Sequence, residues 1–284
     1  MKILRYLYIL FFLIIISCTN ENNKSTVSSP DGNINLFFEI QNGQLQYQIK
    51  KNNNQIVDVS KLGMILESGL NLGQDIELVD FETDEFNEIW NPIFGELSEI
   101  KNNYKSLNIS LKKNNIKFQI IFRVYDDGVA FKYVIPNQDA IQNYNIIDEY
   151  SEFNLSSDDT AWWIPAFSYR RYEFLYAESK IDKISKKYFS ENIEDISYDT
   201  LGIDAAHTPL TIKKNNGYLI SIHEANLVNY SSMTLAPKGN GMLEVELYPW
   251  SDGITKVKLD NQIISPWRYV QIADNSSELL ISNI

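Results

Sequence analysis

Short segments that alternate apolar and polar residues, separated by turn-forming Gly, Asn and Asp, recur along most of this chain. The first two, residues 33–40 and 44–49, flank an Asn42-Gly43 pair that is typical of a tight hairpin. Because alternation with a period of two gives a strand one inner and one outer face, each segment predicts a half-buried strand. The same pattern predicts strands over 105–111, 117–124, 129–135, 209–213, 218–222, 242–248, 255–259 and 269–273.

These segments predict an all-β fold. Short strands with Gly, Asn and Asp turns are typical of a sandwich or barrel, whereas βαβ units would need intervening helical patterns. We therefore expect one domain over residues 31–284, a large antiparallel β-sandwich of many strands. Long amphipathic helical patterns are missing, and residues 180–192 are the best candidate for a helix or an irregular insertion.

The N-terminus has the pattern of a bacterial lipoprotein signal. Two basic residues precede an unbroken apolar run over 6–16, and a Ser-Cys pair ending at Cys18 follows it. The run is shorter than the roughly 20 residues that a membrane-spanning helix requires. We expect residues 1–17 to be removed, Cys18 to be lipidated, and the polar segment 18–30 to tether the domain. This predicts an outer-membrane lipoprotein, on the periplasmic or cell-surface side, held to the membrane by its lipid anchor only.

Charge and cysteine content exclude several classes of function. A net charge of −12 argues against a nucleic-acid partner and against a basic patch for anionic lipid. Cys18 is the only cysteine, so the mature domain has no internal disulfide, and its stability must come from its core. With only two histidines and no second cysteine, a zinc site is disfavoured as well.

A cluster of flat rings and guanidinium groups is a candidate sugar-binding surface. Trp162 and Trp163 are followed by Arg170 and Arg171 in a Tyr-Arg-Arg-Tyr run. An aromatic ring can stack on the C–H face of a sugar while Arg donates to its hydroxyls. The alternative is that the tryptophans belong to the core and the arginines to a solvated loop.

His223 and Glu224 follow the alternating segment 218–222 and form the second candidate site. A carboxylate at the end of a rigid strand is well placed to reach a metal or a neighbouring domain. A zinc-type His-Glu-x-x-His motif is excluded because position 227 is Leu. Glu224 could instead give oxygen to a hard cation such as calcium. The alternative is a solvated Glu with no special role.

Seven segments, taken in order, resemble the N-terminal domain of glycoside hydrolase family 97, the α-glucosidase and α-galactosidase lipoproteins of Bacteroidetes-type bacteria. The resemblance covers nearly the whole mature chain. Phe94 stands where a family Trp is usual, and Lys101 where Arg is usual. The matching segments are 29–32, 90–96 with 102–104, 122–131, 162–165, 208–211, 222–225, and 266–268 with 271–273.

The resemblance implies a β-super-sandwich similar to galactose mutarotase, packed in the family on a (β/α)₈ barrel that carries the catalytic carboxylates. In calcium-dependent members a Glu of the N-terminal domain joins barrel glutamates around the ion. The resemblance places that role on Glu224, with His223 lining the same interface. The sequence stops at Ile284, where the family continues into the barrel. We therefore expect no catalytic residue here, and calcium only where a barrel completes the site.

Three functions follow as expectations. The first is the carbohydrate-binding N-terminal domain of a family 97 α-glycosidase that acts on an α-linked oligosaccharide, glucoside or galactoside, and is inactive without its barrel. The second is a standalone carbohydrate-binding lipoprotein, whose contacts would be Trp162, Trp163, Arg170 and Arg171. The third, weaker, is an aldose-epimerase-like activity, which needs a His and a carboxylate facing one sugar. For the first function, the barrel-facing surface should be an exposed apolar patch.

Overall fold

A computed structural model of the chain describes residues 23–95, 97–167, 172–194, 196 and 201–282. Antiparallel strands in two large sheets make up most of this part of the chain. Cys18, Arg170 and Arg171 lie outside the described residues. Within those ranges no helix is long and apolar enough to cross a membrane.

The first sheet joins the N-terminal hairpins to strands from the second half of the chain. In spatial order its strands are β1 (Lys24–Ser28), β2 (Ile34–Gln41), β3 (Gln44–Lys51), β4 (Asn54–Lys61), β11 (Glu152–Asn154), β18 (Met242–Leu247), β17 (Met233–Gly239) and β14 (Ala206–His207).

The second sheet is longer and carries the candidate site. In spatial order its strands are β13 (Ala177–Lys180), β12 (Thr160–Trp163), β15 (Leu210–Lys213), β16 (Leu219–Ala225), β20 (Trp267–Ala273), β9 (Gly128–Ile135), β8 (Ile116–Tyr125), β7 (Ile100–Lys113) and β6 (Glu77–Trp90). A short strand, β19 (Ile263–Ile264), also pairs with β9, while β10 (Ile146–Glu149) pairs with β5 (Met64–Leu66).

Aromatic rings from both sheets meet in the core. Tyr47 of β3 lies with its ring centroid 6.0 Å from that of Phe122 on β8 and 5.6 Å from that of Phe131 on β9. Phe153 of β11 packs 6.2 Å from Phe131. Because these rings belong to opposite sheets and are buried, the two inner faces form one hydrophobic core. This confirms the predicted all-β antiparallel sandwich.

The tether predicted over 18–30 is wrong in its second half, because residues 24–28 form β1, which pairs with β2, and Val27 is buried.

One predicted strand is also wrong. Within residues 255–259, only Val257 forms a bridge, to Ile146. The cause is local: the Asp252 carboxylate accepts from the backbone N–H groups of Ile254 and Thr255, at 2.9 and 2.8 Å. These bonds satisfy the backbone in a turn, which competes with strand pairing.

The described part of the chain also contains two short α-helices and a 3-10 turn. The insertion predicted over 180–192 contains a 3-10 turn, Ile181–Lys183, and a helix, Lys186–Asn192, which the Ser185 hydroxyl caps by accepting from the Tyr188 N–H. A second helix, Ser276–Ile281, was not predicted. It is capped by Asn275 and lies beside β20 and β16.

Candidate functional site

An arginine held between two carboxylates lies inside one end of the sandwich. Arg268 of β20 donates from Nε and Nη2 to the two oxygens of the Glu149 carboxylate, at 3.0 and 2.8 Å. Its Nη1 donates to Oε2 of Glu224. The side chains of Arg268 and Glu149 are 0% exposed, and that of Glu224 is 6% exposed. We call these three residues the buried triad.

Strand alternation places Glu224 and His223 on opposite faces of β16. Glu224 pairs across the strands with Arg268, on the inner face, while His223 pairs with Tyr269, on the outer face. Glu224 is therefore turned into the sandwich. The alternative interpretation of Glu224 as a solvated side chain is wrong, because its carboxylate is nearly inaccessible and both of its oxygens accept hydrogen bonds.

Hydrogen bonds from the start of β17 and from two residues outside the strands complete the buried triad. The Met233 N–H, at the start of β17, donates to Oε1 of Glu224 at 2.9 Å. The Tyr230 hydroxyl donates to Oε2 of Glu149 at 2.9 Å, and the Ser151 hydroxyl donates to Oε1 of Glu149 at 3.2 Å. Each carboxylate oxygen therefore has a donor, as buried charges require.

Burial and the two carboxylates together shift the pKa values of Arg268 and Tyr230. Burial alone would lower the pKa of the Arg268 guanidinium, but Glu149 and Glu224 outweigh burial and raise that pKa above its ordinary value. Burial raises the pKa of the Tyr230 hydroxyl well above its ordinary value, and the charge of Glu149 raises it further. Arg268 therefore stays charged and Tyr230 stays a hydrogen-bond donor.

Two histidines lie close to this end of the sandwich. His223 Nδ1 is 2.9 Å from the Thr208 hydroxyl oxygen. The His207 ring stacks on Tyr172, with centroids 4.4 Å apart and planes 19° apart, and its buried Nδ1 has no hydrogen-bond partner within the described residues. Burial lowers the pKa of both imidazoles; a charge on His223 lowers that of His207 further, and Arg268 does the same for His223. Both rings are therefore neutral near neutral pH.

The predicted tryptophan contacts separate into one half-buried and one buried side chain. Trp162 lies on the outer face of β12, with its indole N–H 3.2 Å from Oε2 of Glu178. Trp163 is 0% exposed, packs 5.9 Å from the Phe189 ring and donates to the Ser179 hydroxyl at 2.9 Å. The prediction that Trp163 contacts a sugar is therefore wrong, because the core covers both of its faces.

An open cleft of about 1020 Å³ lies at the same end of the sandwich as the triad. Tyr230, which donates to the triad, also lines this cleft, together with Tyr172 and Tyr248. Trp250 is 52% exposed in its wall, and Lys258 lies 4.7 Å above the Trp250 ring. Sequence reasoning missed this surface. The signal available was an aromatic in the turn Tyr-Pro-Trp-Ser-Asp-Gly, where a core residue is not expected.

Among the described residues, the carboxylates at this end do not form a metal site by themselves. Within the described ranges, no group of three His, Cys, Asp or Glu side chains could hold a metal ion. Two carboxylates and one guanidinium leave one negative charge in excess, and each Glu224 oxygen has one lone pair beyond the bond it already accepts. Glu224 alone could supply only part of the about six to eight oxygens that calcium takes.

Comparison with known proteins gives the chain's relatives. The family model described as Glycosyl-hydrolase 97 N-terminal matches residues 27–284. A retaining alpha-galactosidase of Bacteroides thetaiotaomicron is 25% identical over 96% of this chain and 43% of that protein. A probable retaining alpha-galactosidase of Streptomyces bingchenggensis is 23% identical over 89% of this chain and 36% of that protein. The chain thus spans less than half the length of these relatives.

Solved structures give the same picture. A glycoside hydrolase family 97 enzyme from Pseudoalteromonas sp. strain K8, in complex with acarbose, superposes with a TM-score of 0.81 and 29% identity, over 91% of this chain and 37% of that one. Another structure of that enzyme contains panose. A beta-arabinopyranosidase superposes with a TM-score of 0.72 at 19% identity, a likeness of fold alone.

Replacing Arg268 of the buried triad should lower the free energy of unfolding. Arg268→Met leaves two buried carboxylates without a counter-charge, and we expect it to lower the free energy of unfolding by about 3–5 kcal/mol. Urea denaturation monitored by Trp fluorescence measures the loss. Arg123→Met, which removes a cation from the outer face, is the matched control and should cost less. Adding Glu149→Gln to Arg268→Met should recover part of the loss; equal stability of Arg268→Met and wild type would contradict the prediction.

His207 and His223 should make the free energy of unfolding depend on pH. Their pKa values are lowered in the folded state, so the unfolded chain binds more protons below its ordinary His pKa of about 6.5. Stability should be constant above about pH 7.5 and fall as pH drops from about 7.5 to 5.5. Urea unfolding at both pH values measures the fall. In the His207→Gln/His223→Gln variant the fall should be smaller, and an undiminished fall would contradict the prediction.

Proposed function

Because the chain belongs to the family of glycosyl-hydrolase 97 N-terminal domains, we propose that it acts as the sugar-facing domain of a family 97 α-glycosidase. In this proposal the domain covers and orients an α-linked oligosaccharide, while a (β/α)₈ barrel supplies the catalytic carboxylates. Hydrolysis of a glycosidic bond takes two carboxylates that flank it. We assign neither of them to this chain, which should not hydrolyse glycosides by itself.

The cleft beside the buried triad supports the proposal most directly. It combines an exposed indole, Trp250, with tyrosines and lysines around an opening of about 1020 Å³. Sugar sites combine a ring that stacks on C–H groups with donors and acceptors for hydroxyls. The substrate surface is therefore assigned to this cleft, and Trp250 replaces Trp163 as the stacking ring.

In this proposal Glu224 also contributes to a calcium site. Its carboxylate lies at the cleft end, is fixed by Met233 N–H and Arg268, and belongs to a cluster with an excess negative charge. We assign it one ligand position, with the remaining oxygens supplied by the barrel. Held there, calcium would stabilise negative charge near the scissile bond. His223 contacts the Thr208 hydroxyl near the same end of the sandwich, and its ring does not face the buried triad.

A second candidate function is a standalone carbohydrate-binding lipoprotein. The exposure of Trp250 favours it, because a lone sugar-binding module needs an accessible stacking ring. The aldose-epimerase hypothesis has less support. No hydrogen bond or ion pair joins His207 or His223 to a carboxylate in the part of the chain that the structure describes.

Titration with sugars separates the two candidates. For a domain that supplies part of a shared site, calorimetry of the chain alone with panose, acarbose or maltotetraose should give dissociation constants weaker than about 1 mM. Assays with p-nitrophenyl α-glucoside and α-galactoside should show no release. Binding at 1 mM or tighter that is lost in Trp250→Ala and kept in the control Phe37→Ala, which removes an exposed ring on β2, would support the standalone module instead.

Calcium dependence tests the role of Glu224. The melting temperature of the chain alone should be the same in calcium and in EDTA, because one carboxylate does not make a calcium site. When the chain replaces the N-terminal domain of the Pseudoalteromonas enzyme, calcium should raise the melting temperature. Glu224→Gln should abolish that rise and Glu191→Gln should keep it. A calcium-induced rise that survives Glu224→Gln would remove Glu224 from the site.

A further inference from the structure

A two-stranded ribbon projects from the second sheet at the end opposite the buried triad. β6 and β7 pair continuously from Glu77–Lys112 to Trp90–Ile100. β7 pairs with β8 only from Lys105 onward, so the outer part of the hairpin has no third strand. Stacking of Phe86 on Tyr104, with ring centroids 5.2 Å apart, holds the base of this ribbon. The ribbon is therefore a defined projection from the sheet.

The tip of the ribbon is apolar and open to solvent. Ile93 is 98% exposed and Phe94 is 89% exposed, and Ile89, Trp90 and Leu97 are exposed as well. Single exposed apolar residues are ordinary on a protein surface, but several within residues 89–97 at the end of a projection indicate an interaction site. We call these five residues the hairpin tip.

The tip adjoins a second cleft and the end of the described chain. This cleft has a volume of about 610 Å³, and Trp90, Tyr125 and Asp127 are among its lining residues. The Ser282 hydroxyl, at the end of the described chain, donates to Asp127 at 2.7 Å. The preceding helix, Ser276–Ile281, exposes two further apolar side chains, at Leu280 and Ile281. The end of the described chain therefore contacts Asp127, which lines the same cleft as Trp90 of the hairpin tip.

Charge disfavours two other occupants. Residues 77–113 contain eight carboxylates and four lysines, so a surface of anionic lipid would repel the ribbon. β6 is an edge strand of the second sheet, and Asp80, Glu82 and Asp84 lie along it. Pairing this edge with the same edge of a second copy would bring like charges together.

We propose that the hairpin tip docks on the region that follows the N-terminal domain in family 97 enzymes. The proposal rests on the proposed function, since it names a second contact with the same catalytic region. A preformed ribbon presents Ile93 and Phe94 at little cost in ordering, and docking removes their apolar surface from water. The two contacts lie at opposite ends of the second sheet, so each can be detected separately.

Amide hydrogen exchange tests the two contacts together. The chain is compared alone and joined to the catalytic region of the Pseudoalteromonas enzyme in place of that enzyme's own N-terminal domain. The backbone N–H groups within residues 91–98, Pro92 excepted, should exchange at least tenfold more slowly in the joined protein. Ile93→Ser/Phe94→Ser should abolish this protection, whereas Val59→Ser, an exposed apolar residue on β4, should leave it unchanged.

Each pattern of protection has one meaning. Protection of 225–232 at the triad end without protection of 91–98 overturns the docking proposal and leaves the proposed function intact. Protection at neither end overturns both, and protection of 91–98 alone supports docking but not the proposed site.

If the joined protein fails to fold, the second measurement is binding of the chain to the separately purified catalytic region. Ile93→Ser/Phe94→Ser should weaken that binding at least tenfold. Self-association or vesicle binding that depends on the tip overturns the proposal.

Discussion

The ion pairing of Arg268 with Glu149 and Glu224 is the constraint on which the functional end of this sandwich depends. Taking three charges out of water is costly, and the cost is offset only when every donor and acceptor is matched. Here the matching groups come from β10, β16, β17 and β20, and therefore from both sheets. One cluster thus fixes where the two sheets close, how the 225–232 loop leaves β16, and where Tyr230 enters the large cleft.

The second sheet connects this end to the hairpin tip. Because β7, β8, β9 and β20 run side by side through the core, the two ends are held in one continuous hydrogen-bonded frame. Packing of Tyr47 against Phe122 and Phe131 makes that frame stiff. The chain can therefore present two distant surfaces, one polar and recessed, one apolar and projecting, in a fixed relation.

Alternation in the sequence predicted part of both sheets, because period-two patterning is set by the chemistry of single residues, but it did not identify β1, β6 or β17. It does not reveal which face of a strand is the inner one. Trp162 and Trp163 must point to opposite faces, and the sequence could not decide that Trp163 belongs to the core. The same ambiguity applies to His223 and Glu224. It is resolved by Arg268, which lies on a partner strand far along the chain. The strand prediction for 255–259 failed for a different reason. The Asp252 carboxylate accepts from the backbone N–H groups of Ile254 and Thr255, which favours a turn at the start of this segment.

The buried triad gives a physical reason for part of the resemblance to family 97. Two of the segments that carry the resemblance, 222–225 and 266–268, contain Glu224 and Arg268, which are bonded to each other. Similarity at both segments is therefore expected from folding alone, because loss of either partner would leave a buried charge unpaired. Any role of Glu224 toward calcium or sugar must be exerted from within this bonded position, through the lone pairs that Arg268 and Met233 do not use. The proposed ligand position at Glu224 would then be preorganised by the same contacts that close the sandwich.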